Sequence, residues 1–476
     1  MGPNTTSAAI ENLSIAVLTV LALPLSIAIL QRLYFHPLAR IPGPCLAAVT
    51  DFYAFYFNYV QEGGYSKRLK KLHAKYNSLV IRIGPNHVHI DSPAFFEEVF
   101  RVGSKYTKDP AFYKHFGGLD SMTDPQDYRT YRNHISSLYS ARSTDSLAPS
   151  VLRELQIIST KLHGKIATNE PVNIQRVFRT LSSDIVLQIL FSEDVNLSEC
   201  VEYHPFLEAL DTVMAKTWLS KSIAFYCEGW ANNDQQAPRK GNQSGRDSHM
   251  KRYLEIDPSD EKKARAVPHP LEDIFNFIAG GSDTTAYSTT CAVHYLLTSP
   301  SALSKLQAEL DDAAPYIRHN FDHRKIQSLP YLGAVVKEAL RLSNPVPGCL
   351  PRIVPENGTR VGSVFIPPGT AVSVSLMSIQ QNENIFRDPQ KFIPERWLGK
   401  EGEATQRWNV AFSRGPRQCI GINIAYLELH TCLAYLFSHY EFSLSGRNST
   451  ELKWVDRFVS HNTEDVMVNV VRDRWT

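Results

Sequence analysis

The 476-residue sequence lacks a surplus of either charge: 50 Lys and Arg stand against 48 Asp and Glu, a formal net charge of +2. With no positive field to attract phosphates, nucleic acid is set aside as a partner. The seven cysteines (Cys45, Cys200, Cys227, Cys291, Cys349, Cys419, Cys432) form no C-x-x-C pair and are odd in number. That argues against a zinc site or redox dithiol and for reduced thiols in the cytosol. A dinucleotide-binding glycine fingerprint, an appended flavin domain and a fixed-period repeat are all missing too. What remains, 43% apolar and 21% charged residues, is the balance of an ordinary globular protein.

Charge is absent locally as well. Residues 13–30 run for 18 positions without a charged side chain, and as a helix they reach roughly 27 Å, close to the hydrocarbon thickness of a bilayer. A cleaved signal peptide would need basic residues before the run and a small-residue cleavage site after it, and neither is there. Glu11 precedes the run and Arg32 and Arg40 follow it, so the expected orientation leaves everything downstream in the cytosol. Pro37, Pro42, Gly43 and Pro44 come next; they cannot continue a helix and predict a stiff hinge over 33–44.

Apolar periodicity predicts helices over 271–297, 302–312, 332–342 and 422–437, and short strands over 80–83, 87–90 and 371–376. One stretch, about 228–270, is polar and broken, and 231–245 reads as an exposed loop or disordered insert. The body is expected to be mainly helical with a small sheet component.

Residues 412–421, Phe-Ser-Arg-Gly-Pro-Arg-Gln-Cys-Ile-Gly, precede the last long helix. A thiolate at a helix start is stabilised by free backbone N–H groups and the positive end of the helix dipole. Gly415 and Gly421 allow close backbone approach to a flat ligand or positive φ, Pro416 stiffens the turn, and Arg417 can pair with a carboxylate. An isolated cysteine is usually a small buried hydrophobe. Here the whole string, with Phe412, Gly415, Arg417, Cys419 and Gly421 at the fixed positions, matches Phe-x-x-Gly-x-Arg-x-Cys-x-Gly and resembles the signature of the cytochrome P450 family.

That resemblance implies haem b with Cys419 as axial thiolate ligand to iron, and the cytochrome P450 fold. Other motifs follow in family order. Ala279-Gly280-Gly281-Ser282-Asp283-Thr284 resembles the oxygen-binding helix, which opens locally beside the iron: Thr284 would hold a hydrogen bond at the distal oxygen and Asp283 would relay protons. Two mid-helix glycines cost about 1 kcal/mol each and otherwise suggest a tight helix crossing. Glu338-Ala339-Leu340-Arg341 and Pro394-Glu395-Arg396-Trp397 resemble two further elements, with Trp397 in place of the usual Phe. Glu338, Arg341 and Arg396 would form a buried structural network. Arg132, after Tyr128 where Trp or His is usual, and Arg352 would reach the haem propionates.

The implied activity is a monooxygenase reaction that inserts one oxygen atom of O2 into a hydrophobic substrate. Without a dinucleotide or flavin domain, NADPH-derived electrons must come from a partner, an NADPH–cytochrome P450 reductase, with cytochrome b5 as a further donor. The expected organisation is an anchor over 1–32, the hinge over 33–44 and one catalytic domain over 45–476, held by a single transmembrane helix in the endoplasmic reticulum membrane with its lipid as a partner. Phe112, Tyr113, His115, Phe116, Phe275, Ala279, Val346, Pro347 and Leu350 are expected around an apolar, aromatic substrate pocket; packing explains each equally well. Residues 33–38 and 79–90 resemble filamentous-fungal members, and a terpenoid or other secondary metabolite is the expected substrate class. The chain is several tens of residues shorter than usual between Trp218 and Ala279, where two helices normally roof the pocket. A catalytically impaired haem-binding or interaction protein is the alternative; an isomerase or dehydratase that uses no O2 is a further one, opposed by the intact Asp283-Thr284 pair.

Overall fold

A computed structural model describes residues 22–61, 63–200, 203–212, 247–257, 259–260, 263, 266–318, 321–446 and 451–475. The expected insert over 231–245, most of the shortened roof, and residues 13–21 of the expected span lie outside them. Residues 22–30 are helical and expose Leu23, Leu25, Ile27 and Leu30. Among the described residues, no helix is long and apolar enough to cross a membrane.

The chain is mainly helical with a small β component. Its largest core lies where the helices Ala148–Thr168, Ile174–Phe191, Pro270–Leu297, Pro330–Ser343 and Ile422–His439 meet. Local chemistry sets their ends. Proline opens Pro270–Leu297, Pro300–Asp312 and Pro330–Ser343, where its missing N–H costs nothing. The Asn173 side chain accepts from the N–H groups of Gln175 and Arg176, and Asn344 closes its helix in the left-handed region at φ 44°.

A second core lies on a five-stranded sheet, ordered Val80–Gly84, His87–Ile90, Ala371–Ser373, Arg352–Ile353, Thr107–Lys108. Its register places Val88 opposite Val372 in the parallel pair, Arg352 opposite Val372 and Lys108 opposite Arg352 in the antiparallel ones. The expected strand over 371–376 stops at Ser373. Ser375 caps a short helix, Leu376–Gln380, by accepting from the Ser378 N–H, so a local cap ends an otherwise β-like run.

The proline-rich hinge is packed against the body. Leu38 and Ile41 enter the second core, Arg82 N–H donates to Pro42 O at 2.7 Å, and a Cβ on Gly43 would stand 2.2 Å from Arg82 O.

Candidate functional site

The loop before Ile422–His439 is shaped by close approaches. Gly415 has φ +70°, and a Cβ there would lie 2.1 Å from the Phe100 carbonyl oxygen, so no other residue fits. Gly421 does not need left-handed space: it sits at φ −85° and caps the helix, where its N–H donates to the Cys419 sulfur. Cys419 N–H donates to Phe412 O at 3.1 Å, and the Phe412 ring leans on Tyr426. The Cys419 side chain is exposed, yet surrounding protein pushes its thiol up from the ordinary value, offset in part by the Gly421 N–H and Arg132. Accessibility and desolvation together describe an internal slot. A metal cation held over such a thiol would bind the sulfur as thiolate and release its proton to solvent.

Cations gather beside the slot. Arg132 donates to Gln418 O at 2.6 Å, and Arg417 donates to Met122 O at 2.6 Å with its guanidinium 3.5 Å from the Tyr128 ring centre. Arg352 is buried. Lys108, which sequence reasoning missed, is also buried; it donates to Asp120 O at 2.7 Å, and its amine is 3.6 Å from the Asp120 carboxylate. Burial lowers its ammonium to about 8, with Arg417 and Arg352 pushing the same way and Asp120 opposing. Burial also lowers Arg417 to about 10. Like charges directly opposite on neighbouring strands, as Lys108 and Arg352 are, destabilise a sheet unless an anion lies between them. The only signal for Lys108 in the sequence is a lysine flanked by a threonine and an aspartate, which is ordinary.

On the central helix, Pro270–Leu297, Gly280 is exposed in mid-helix with nothing within 4 Å of where a Cβ would be. Gly281 is a tight crossing: its Cβ would meet Val186 at 2.4 Å. The expected local opening is not seen. The helix is continuous, and Thr284 Oγ1 donates to Gly280 O at 2.7 Å, a back-bond that keeps the hydroxyl within the turn. Asp283 is buried and ion-paired with Arg179, which also reaches Asp211 at 2.7 Å.

The family model described as Cytochrome P450 matches residues 235–467. The chain is 47% identical to the cytochrome P450 monooxygenase cloA of Claviceps purpurea, over 95% of this chain and 94% of the relative. It is also 47% identical, over 94% and 93%, to a Claviceps fusiformis protein named an inactive cytochrome P450 monooxygenase cloA. The monooxygenase phqM of Penicillium fellutanum is 42% identical over 92% and 88%. The chain belongs to the cytochrome P450 family. As a cytochrome P450 monooxygenase it works with haem iron, O2, reducing equivalents from a redox partner and a hydrophobic substrate.

The residues present fit the haem: a thiol on the open side of a slot, glycine where the backbone crowds, and four cations, the buried Lys108 and Arg352 and the half-buried Arg132 and Arg417, against one neighbouring carboxylate, Asp120, among the described residues. Cys419 would ligate iron, and Arg132, Arg352, Arg417 and Lys108 would face the two propionates.

The expected buried network is assembled. Glu338 accepts from Arg341 Nε and a terminal nitrogen, both at 2.9 Å, from Arg396 Nε at 3.1 Å, from Ile393 N–H at 3.0 Å and from Trp397 Nε1 at 2.8 Å. Trp397 thus does something a phenylalanine cannot.

A cavity of about 330 Å3 is lined by Phe116, Phe275, Ala279, Gly280 and Phe458 and, on its polar side, by Arg176, Arg179, Arg457, Tyr203, Asp211 and His461 among others. It takes in Phe116, Phe275 and Ala279 but not Phe112, Val346 or Leu350. Phe112 packs on Phe116 and Tyr113, and Leu350 joins the second core. The lining is mixed and not purely apolar. Arg176 and Arg179 come from the helix Ile174–Phe191 and Arg457 and His461 from the strand pair 454–462, segments without a motif to mark them.

Proposed function

We propose that the chain is an endoplasmic-reticulum-anchored, single-pass monooxygenase that takes electrons from an NADPH–cytochrome P450 reductase, with cytochrome b5 as auxiliary donor, and hydroxylates a compact secondary metabolite, a terpenoid first. The carrying observation is Cys419: a thiol open to an interior slot, with Gly421 N–H on its sulfur and the Arg132 guanidinium near it. The charge-free run 13–30 and the apolar exposed helix 22–30 support the anchor.

When bound, the haem supplies oxygen activation, with the thiolate ligand donating electron density. The protein's own part is positioning and proton supply. Phe116, Phe275 and Ala279 hold the apolar face of the substrate and exclude water. Arg176, Arg457 and the amides of Asn173 and Asn462 lie at the polar side, suiting a skeleton with a polar substituent. Asp283, buried next to Thr284 in the chain and ion-paired with Arg179, which also reaches Asp211 at the cavity, is the group assigned to proton supply. The intact Asp283, Thr284 and Cys419 favour an active enzyme over an impaired one.

The test is the reduced, carbon-monoxide-bound absorption spectrum of the wild type beside Cys419→Ser. The expected result is a thiolate-type band in the wild type that is lost in the variant. A band that survives the substitution, or is missing from the wild type, sinks the ligand assignment.

A further inference from the structure

A buried carboxylate gathers chain segments that are far apart in sequence. Asp273 stands in the first turn of Pro270–Leu297 and is buried, as is His249. Its Oδ1 accepts from Leu119 N–H at 2.9 Å. Its Oδ2 accepts from the Tyr131 hydroxyl and shares a hydrogen bond with His249 Nε2 at 2.8 Å. The Tyr131 hydroxyl is also 3.0 Å from that nitrogen, and the Tyr139 hydroxyl is 3.2 Å from His249 Nδ1. Asp273 therefore joins the helix Pro125–Ile135, the helix His249–Leu254 and the short helical turn Gly118–Ser121, and through His249 it reaches the turn Ser136–Tyr139.

A buried carboxylate with donors on both oxygens and a helix N-terminus beneath it is well satisfied. What it holds matters more. The loop 116–122 is seated on the central helix at this point. Gly117 and Gly118 have positive φ, a Cβ on Gly118 would lie 2.9 Å from Asp273 Cα, and Asn276 Nδ2 donates to Gly117 O at 3.3 Å. One end of the loop carries Phe116, packed on Phe458 with ring centres 4.5 Å apart, both in the cavity wall. The other end carries Asp120 and Met122, whose carbonyls take Lys108 and Arg417. The Leu119 N–H bond to Asp273 is the polar tie midway between them.

We propose that Asp273, with His249 and Tyr131, is a positioning device for the substrate cavity: it fixes loop 116–122 and thereby the wall that Phe116 presents to a ligand. No contact between Asp273 and substrate or haem is required. The inference rests on reading this cavity as the ligand side of the haem.

The test uses the full-length ferric haem protein and two probes that both coordinate iron through an imidazole nitrogen, imidazole itself and 4-phenylimidazole, whose ring must also occupy the cavity. In Asp273→Ala, 4-phenylimidazole affinity is expected to fall about tenfold while imidazole affinity stays within about twofold. His249→Gln and Tyr131→Phe are expected to give the same split at about threefold, and they keep the test open should Asp273→Ala not fold. Equal shifts for both probes, or none for either, overturn the proposal, because a purely structural role would not separate them. A wild type in which imidazole binds iron but 4-phenylimidazole does not would overturn the reading of the cavity, and this inference with it.

Discussion

Glu428, two turns into the helix that follows Cys419, makes a quantitative prediction about pH. Its side chain is 1% exposed, and burial raises its carboxyl to about 8 against an ordinary 4.5, with only the Ser182 hydroxyl, donating at 2.5 Å, opposing. Between those two values the folded protein keeps the proton and the unfolded chain has released it. The contribution to stability is therefore fully present below about 4.5 and is lost as pH rises toward 8. At about 1.4 kcal/mol for each unit, the loss is about 3 kcal/mol at pH 7 and approaches about 5 kcal/mol above pH 8. Glu428→Gln, isosteric and non-titrating, removes this term alone. Urea midpoints followed by tryptophan fluorescence at pH 5 and pH 8 should show the wild type losing about 4 kcal/mol relative to the variant over that interval. Asp456, whose carboxyl burial raises to about 6, titrates in both proteins and cancels in the difference. A wild-type-minus-variant difference that is flat with pH would refute the argument, and with it the view that Glu428 is a neutral acid in the core.

Trp397→Phe deletes the indole N–H on Glu338 while keeping the packing, and should cost about 2 kcal/mol by chemical denaturation; an unchanged midpoint would mean the network does not need it. Gly415→Ala puts a methyl against the Phe100 carbonyl at a positive φ, so the haem-to-protein ratio of the purified variant should collapse, at a folding cost above about 2 kcal/mol. Arg179→Met leaves Asp283 buried without its cation, a change on the order of 3–5 kcal/mol. With reductase and NADPH it should raise peroxide released per NADPH at least about threefold, at unchanged haem content. An unaltered ratio would take Arg179 out of proton supply.

The sequence by itself determined whatever is written in consecutive residues. The thiolate loop is a string whose glycine and proline fix a local backbone path, and the long helices announce themselves by apolar spacing and by the prolines and asparagines at their ends. Glu338, Arg341 and Arg396 were legible because two short motifs carry them. The tertiary structure decided pairings between segments that have no motif. Arg179 meets Asp283 because the helix Ile174–Phe191 crosses the central helix at Gly281; Lys108 joins the cations beside the slot because strand register sets it opposite Arg352; Asp273 gathers three segments distant in sequence. Leu376 left its expected strand for a helix because the Ser375 cap outweighed β propensity, and Leu350 left the expected pocket for the sheet core. The physical reason is the same in each case. Local backbone preference depends on neighbours along the chain, but the burial of a charge or an apolar side chain depends on what the fold places opposite it, and that partner is not adjacent in sequence.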